Sequence, residues 1–337
     1  MTAVATASSA SAACQLLHAT LEPSEWTSDP IECAAYASDV YAAGSAAAVV
    51  RCRDRERLAR AIAALGRAGV PIVPRGGGMS YTKGYVPTRS DGVVIDTAVL
   101  DRIVEVNRQD MYITVEAGVT WKTIDETLRP LGLRLPFFGT FSGAKATVGG
   151  GLSNGALFFG TARYGTAADC LLGLEVILAD GTRLRTGQGA QRAGRKPFYR
   201  TYGPDLSGLF THDCGALGVK VEATFRLIEA PAHTAYGSFA FDHLPAAARA
   251  LSAVARSGAA EEAYVFDPAS TQKNLAASTL KSDLRVLANV VRQERSWLDG
   301  LRAGARLALA GRRFLDANAY SLHVVTTGRT RAAAQAD

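Results

Sequence analysis

Three consecutive glycines, Gly76, Gly77 and Gly78, follow a short apolar run, Val70-Pro71-Ile72-Val73, and sit between Pro74-Arg75 and Met79-Ser80. A backbone without side chains reaches positive φ freely and lets a ligand approach its peptide N–H groups closely. Successive free N–H groups make a concave anion site. The segment therefore predicts a strand that opens into a loop suited to a diphosphate, with Arg75 adding a cation. An ordinary surface turn has the same composition, so the loop alone leaves both readings open.

Composition narrows the class. The chain has 337 residues, 48% hydrophobic and 20% charged, which suits a globular protein of about two domains. Its apolar runs all fall short of the roughly 18 residues that span a bilayer. Residues 1–13 are small and polar with no basic residue before an apolar core, unlike a secretory signal. They read as a flexible start to an N-terminal lead-in over 1–45. Cys14, Cys33, Cys52, Cys170 and Cys214 form no Cys-x-x-Cys pair and do not cluster with the five histidines. No metal site and no disulfide framework is expected, and reduced thiols point to a cytoplasmic protein. The net charge of +6 is spread out, with short basic patches at 51–60 and 191–200. A nucleic-acid binder would concentrate it in a stripe, so no nucleic-acid partner is expected.

Periodicity organises the rest. Arg55 to Ala68 is predicted helical, with Leu58, Ile62 and Leu65 on one face and Gly69 ending it. Gly92–Asp96, Arg102–Asn107 and Tyr112–Gly118 read as strands. A helix over Thr120–Leu131 follows, carrying Trp121, Ile124, Leu128 and Leu131. A second glycine cluster, Thr147-Val148-Gly149-Gly150-Gly151 with Asn154-Gly155, reads as another loop. Leu172–Ala179, the turn Asp180-Gly181 and Thr182–Arg185 form a hairpin. Val219–Leu227 alternates, with Val219, Val221, Ala223, Phe225 and Leu227 inward. Ala230-Pro231 marks a boundary. Beyond it come a strand at Tyr236–Phe241, a helix at Pro245–Ala255, a strand at Ala263–Phe266, a helix at Leu298–Leu315 and a strand at Ser321–Val325. Thr330–Asp337 begins a helix.

A nicotinamide-type fingerprint requires strand, Gly-x-Gly-x-x-Gly and helix. The first cluster lacks the last glycine and runs into Thr82-Lys83-Gly84-Tyr85-Val86-Pro87, a poor helix former. The second misses the spacing. A cofactor is thus expected to be held by loops between strands and not by a helix terminus. That favours an α+β flavin fold.

Four segments, in order, resemble one family. They are Pro74 to Ser80; Val115-Glu116-Ala117-Gly118-Val119; Ala146 to Gly150 with Tyr164-Gly165 and Gly173 to Gly181; and Asp205 to Phe210 with Gly215-Ala216-Leu217-Gly218-Val219. Together they resemble the FAD-binding domain (PCMH-type) of the vanillyl-alcohol-oxidase and p-cresol-methylhydroxylase superfamily, nearest its glycolate/D-lactate dehydrogenase type. The resemblance covers roughly residues 46 to 230. It implies an α+β fold with a two-subdomain FAD-binding domain over 46–230, then a partial ferredoxin-like cap over 231–337. It assigns cofactor contacts to Pro74, Arg75, Gly76, Gly77, Gly78, Met79 and Ser80, and to Ser142, Thr147, Val148, Gly149, Gly150, Asn154 and Gly155. Ile177, Gly215, Gly218 and Val219 complete the set, Ile177 through its backbone. Phe137, Phe138 and Val148 suit a wall for a flat ring, although an aromatic pair suits a core equally well.

Departures from the family carry further expectations. Some relatives place a flavin-linked histidine in the first loop; Met79 stands there, so the FAD is expected to be non-covalent. Asp213-Cys214 replaces a common Ser-Glu. The chain stops within what reads as the first half of the cap, which suggests a shortened product and a Ser321–Val325 strand short of a partner. Catalytic residues are accordingly undetermined. Tyr81, Tyr85, Tyr164 and His323 are the candidates; His212 beside Asp213 suits orientation of a proton-transfer group or, more commonly, a structural hydrogen bond. The implied activity is FAD-linked oxidation of a hydroxyl-bearing small molecule, with oxygen or another electron acceptor. A redox-neutral transferase like alkyl-dihydroxyacetone-phosphate synthase and a non-catalytic flavin-binding fragment are the alternatives.

Overall fold

A computed structural model describes residues 12–191, 197, 199–200, 203–277 and 319–336. The chain divides into two compact units between Ala230 and Pro231.

The first unit opens with helix α1 (12–20), strand β1 (Trp26–Thr27) and helix α2 (Pro30–Tyr36). Ala13, Leu17 and Leu21 are buried with Leu58, Ile62 and Leu65. The flexible stretch expected over 1–13 lies outside the described residues up to position 11; from 12 onward apolar residues at helical spacing bury one face of α1. β1 also pairs antiparallel with β2 (Ala48–Val50), Trp26 opposite Val50.

Helix α3 (Arg55–Arg67) carries the expected apolar face. Asp54 caps it, accepting from the N–H groups of Glu56 and Arg57 at 2.9 Å each. Gly69, at φ 67°, turns the chain into β3 (Ile72–Arg75). β4 (Val93–Asp96) lies between β2 and β3, parallel to both, giving the order β1-β2-β4-β3. The crossover helix α3 is what permits parallel neighbours.

A second, antiparallel sheet follows. β5 (Ile103–Asn107) and β6 (Tyr112–Glu116) form a hairpin, α4 (Trp121–Leu128) is capped by Thr120, and β7 (Leu133–Arg134) lies beyond it. Helices α5 (Val148–Asn154) and α6 (Thr161–Tyr164) precede β8 (Leu171–Ile177), β9 (Arg183–Arg185) and β10 (Val219–Arg226). The sheet order is β5-β6-β10-β8-β9, with β10 central. Its core joins Trp121, Phe137, Phe225 and Val148; the Trp121 and Phe137 rings meet edge to face at 5.1 Å. β11 (Ile228–Glu229) closes the unit against β7.

Charge joins the two sheets. Arg55, at the start of α3, meets Glu116, Glu175 and Glu222 at 3.0, 3.3 and 2.8 Å. Those carboxylates come from β6, β8 and β10. An arginine fork suits several carboxylates at once.

In the second unit, β12 (His233–Phe241), helix α7 (Leu244–Ser257), β13 (Glu262–Phe266), helix α8 (Pro268–Ala277), β14 (Tyr320–Gly328) and helix α9 (Arg331–Ala336) appear in turn. The sheet order is β12-β14-β13, all antiparallel. β14 thus has a neighbour on each side, contrary to the strand short of a partner expected at Ser321–Val325. The helix expected at Leu298–Leu315 lies outside the described residues.

Candidate functional site: a cleft between two glycine-rich segments

The loop leaving β3 and the start of α5 meet in the first unit. Their approach is close enough to exclude side chains. A Cβ on Gly76 would stand 2.2 Å from Thr147 Oγ1, and one on Gly77 only 1.9 Å from the Lys145 carbonyl oxygen. Between them lies a cleft of about 700 Å³. That volume falls in the range of small-molecule and cofactor sites.

Polar groups in this cleft lack partners. The N–H groups of Gly77, Gly78, Met79 and Ser80 donate to no acceptor among the described residues, and neither does that of Gly150. Thr147 is the N-cap of α5, yet its Oγ1 is buried without a hydrogen-bond partner. Buried polar atoms are normally satisfied, so an orphan beside free N–H groups indicates a ligand. The donors suit an anion such as a diphosphate.

Arg75 stands behind the loop. Its guanidinium lies over the rings of Tyr36 (4.6 Å) and Tyr85 (5.2 Å), and its Nε is buried without a partner among the described residues. Tyr85 in turn donates its hydroxyl to the Gly78 carbonyl at 3.0 Å. Burial pushes the Tyr85 phenol pKa up, against the neighbouring Arg75 charge.

The opposite wall is the segment before β10. His212 and Cys214 adopt φ 59° and 51°, and their N–H groups donate to the Leu152 and Ser153 carbonyls of α5. Asp213 braces this turn by accepting from Gly215 N at 3.0 Å and Lys220 Nζ at 2.7 Å. Its partner is thus Lys220, not the His212 expected from sequence adjacency.

Of the residues expected to touch a cofactor, Pro74 through Ser80, Ser142, Thr147, Gly149, Gly150, Asn154, Gly155, Gly215 and Gly218 line this cleft, as do Tyr81 and Tyr85. Val148, Ile177 and Val219 do not. They are 0–3% exposed because their side chains enter the two cores. Phe137 is likewise core, packed on Trp121 and Phe225, and Phe138 borders a separate cavity with it. Of the two readings open for this aromatic pair, the core is the one the packing bears out. Tyr164 packs beside the core beneath Arg134 and Arg226, away from the cleft lining. His323 belongs to the second unit, where Ser238 Oγ and Ser321 Oγ each lie 3.0 Å from one ring nitrogen. Its ring stacks on Tyr264 at 5.2 Å, and burial pushes its pKa down.

Two features escaped the sequence reading. The second glycine cluster is helix α5, not a loop, so a helix start does border the site. Three glycines suggested a coil, but they pack against neighbours: a Cβ on Gly151 would strike the Trp121 ring at 2.5 Å. Lys220 also lines the cleft. Strand alternation placed it outward, yet central β10 is buried on both faces here, and Lys220 is 4% exposed. A lone lysine among valines, seven residues after an aspartate across a tight turn, was the available signal.

A side-chain-free, donor-lined cleft between a parallel βαβ layer and an antiparallel sheet suits a nucleotide cofactor held through its diphosphate. Residues 46–187 match the FAD binding domain family, and this match supports FAD as the cofactor. The chain is 30% identical over 191 residues to D-lactate dehydrogenase [cytochrome] 1, mitochondrial, of Saccharomyces cerevisiae, covering 56% of this chain and 31% of that protein. The Arabidopsis thaliana D-lactate dehydrogenase [cytochrome], mitochondrial, is 32% identical over 186 residues, 55% of this chain and 31% of its own. Glycolate oxidase subunit GlcD of Bacillus subtilis is 29% identical over 205 residues, 61% and 42% respectively. The chain thus spans about a third of the length of the two dehydrogenases it matches. In fold it is similar to p-cresol methylhydroxylase with substrate bound, at TM-score 0.76 and 18% identity, over 98% of this chain and 62% of that one. Alkyldihydroxyacetonephosphate synthase gives 0.72 and 17%, over 96% and 57%. Among the described residues no helix is long and apolar enough to cross a membrane, and no group of side chains could hold a metal ion.

Proposed function

We propose that this chain is the flavin-binding part of an FAD-dependent oxidoreductase that oxidises a hydroxyl-bearing small molecule. The first unit is the FAD-binding domain and the second contributes to the substrate cap. The observation that carries the reading is the convergence of Gly76–Gly78 with Thr147–Gly150 around unpartnered donors. The names of the curated relatives, D-lactate dehydrogenases and a glycolate oxidase subunit, point to 2-hydroxy acids as the substrate class.

The residues divide the work. The N–H groups of Gly77 to Ser80 bind the diphosphate, and Gly150 N–H and Thr147 Oγ1 supply further hydrogen bonds from α5. Arg75 sets the loop's shape and potential from behind, held by Tyr36 and Tyr85. Tyr85 positions the loop and does not move a proton, because its hydroxyl is engaged by Gly78. With Met79 in the loop, no side chain there forms a covalent link, and the cofactor is dissociable. When bound, FAD supplies hydride acceptance at flavin N5 and passes the electrons to oxygen or another acceptor; the protein supplies binding, orientation and electrostatics.

The test is a visible spectrum of the purified chain after FAD supplementation and desalting. Retained flavin bands near about 370 and 450 nm, released entirely by acid precipitation, are expected. Their bleaching under anaerobic D-lactate or glycolate reports the redox step. A chain that retains no flavin sinks the proposal.

A further inference from the structure

Lys220 is an ammonium in an unusual position. It lies on the central strand of the five-stranded sheet, its side chain is 3% exposed, and it lines the cleft beside Gly218 and Gly215. An ammonium carries three N–H donors. One goes to Asp213 Oδ1 at 2.7 Å, and no other acceptor is found among the described residues. Two donors of a buried cation therefore remain unsatisfied in the protein alone. Leaving them so is costly in a low-dielectric site.

The surroundings do not explain the lysine as a structural brace. Asp213 already has backbone donors, Gly215 N at 3.0 Å and Leu217 N at 3.4 Å, so its turn closes without Lys220. Burying an ion pair seldom stabilises a fold more than an apolar pair of the same volume would. A lysine retained here, with spare donors facing the cleft, calls for an acceptor within it.

We propose that Lys220 is an FAD-binding residue whose ammonium, neutralised on one side by Asp213, donates to an oxygen or nitrogen acceptor of the cofactor. The inference rests on the flavin reading of the cleft. Burial pushes the Lys220 pKa down while the Asp213 carboxylate opposes that shift. Because lysine and aspartate form a neutral pair, the contribution is directional hydrogen bonding and not bulk attraction. Its loss should therefore depend little on ionic strength.

The test is FAD affinity of the full 337-residue apoprotein, measured by quenching of flavin fluorescence, beside the thermal midpoint of each apoprotein. Lys220→Met alone strands the buried Asp213, so the decisive variant is Asp213→Asn with Lys220→Met, which removes both charges and keeps an acceptor for Gly215 N. The expected result is an apoprotein midpoint near that of the unchanged protein with FAD binding about tenfold weaker at low and high salt alike, the size of one charge-assisted hydrogen bond. Unchanged FAD affinity in the double variant makes the pair structural and overturns the inference. Should that variant not fold, Lys220→Gln decides: it keeps a shorter donor to Asp213, and an affinity equal to that of the unchanged protein is the overturning result. If the unchanged protein itself binds no FAD, the flavin reading has failed, which is a separate outcome from either of these.

Discussion

Gly76 and Thr147, 71 positions apart in sequence, approach so closely that a Cβ on the first would sit 2.2 Å from the hydroxyl of the second. Gly77 makes the same kind of approach to the backbone of Lys145. Side chains are absent from these positions because two chain segments press against one another there, leaving their N–H groups facing the cleft.

Gly77→Ala must displace the Lys145 carbonyl, a backbone atom, from its 1.9 Å approach. The expected destabilisation is about 1–3 kcal/mol, together with loss of retained flavin. Gly84→Ala, whose nearest neighbour would be a threonine hydroxyl at 3.4 Å, is the tolerated control. Thermal midpoints and flavin-to-protein absorbance ratios report both.

Tyr85→Phe removes the hydroxyl that holds the Gly78 carbonyl at 3.0 Å while keeping the ring over Arg75. One neutral hydrogen bond is worth about 1 kcal/mol, so FAD should bind roughly fivefold more weakly. Hydride transfer within the flavin-loaded enzyme should be unaffected, and stopped-flow bleaching separates the two effects.

Cys214 is exposed at the cleft, whereas Cys33, Cys52 and Cys170 are buried. Burial raises the Cys52 and Cys170 thiols to about 11 each. A chromogenic disulfide reagent should label Cys214 first in the native protein and reach Cys52 and Cys170 only on unfolding. FAD at about ten times its Kd should slow Cys214 labelling roughly tenfold. Labelling indifferent to FAD would place the cofactor elsewhere.

Burial alone would raise the Glu116 carboxyl, but hydrogen bonds from Arg102 and Arg55 outweigh it and hold the pKa below its ordinary 4.5. A carboxylate depressed in the folded state adds stability that is complete above the unfolded-state value and is lost as pH falls through the lower folded value. Urea midpoints should therefore drop below about pH 4.5. Arg55→Met should flatten that dependence and cost about 3 kcal/mol at neutral pH, because it leaves the Glu116–Glu175–Glu222 group short of its shared cation.

His323 gives the opposite case of a cation disfavoured. Its lowered pKa, caused by burial, means the folded state resists protonation. Its contribution is present above its ordinary 6.5 and is lost as pH falls from there towards the folded value. The His323 ring resonances should titrate below its ordinary 6.5 in the folded chain, and His323→Gln should remove this share of the pH dependence.

Local elements were legible where one periodicity sufficed. The apolar face of α3, the Asp180-Gly181 hairpin and the pairing-ready strands β4 to β6 all follow from near-neighbour patterns. The first glycine loop and most of the second line one cleft, and this was legible only from the four segments in order, because a glycine loop alone suits a surface turn equally well. Val148, Ile177 and Val219 turn their side chains into the cores, which leaves their backbone to meet a cofactor, as the resemblance implies for Ile177. A motif marks a stretch of backbone, but alternate side chains along that stretch turn into the core. The α1 helix was missed because Ala13 and Leu17 become apolar anchors only once α3 is there to receive them.

The amino-acid order by itself determined the donors, side-chain-free segments at 76–78 and 149–151, and the strand that leads into the first of them, because these depend on sterics within a few residues. Only the tertiary structure decided that those segments face each other, that α5 and not a coil carries the second, and that Lys220 turns into the cleft towards Asp213. Those outcomes depend on which strand occupies the centre of the five-stranded sheet and is buried on both faces, a consequence of long-range pairing that no short window contains.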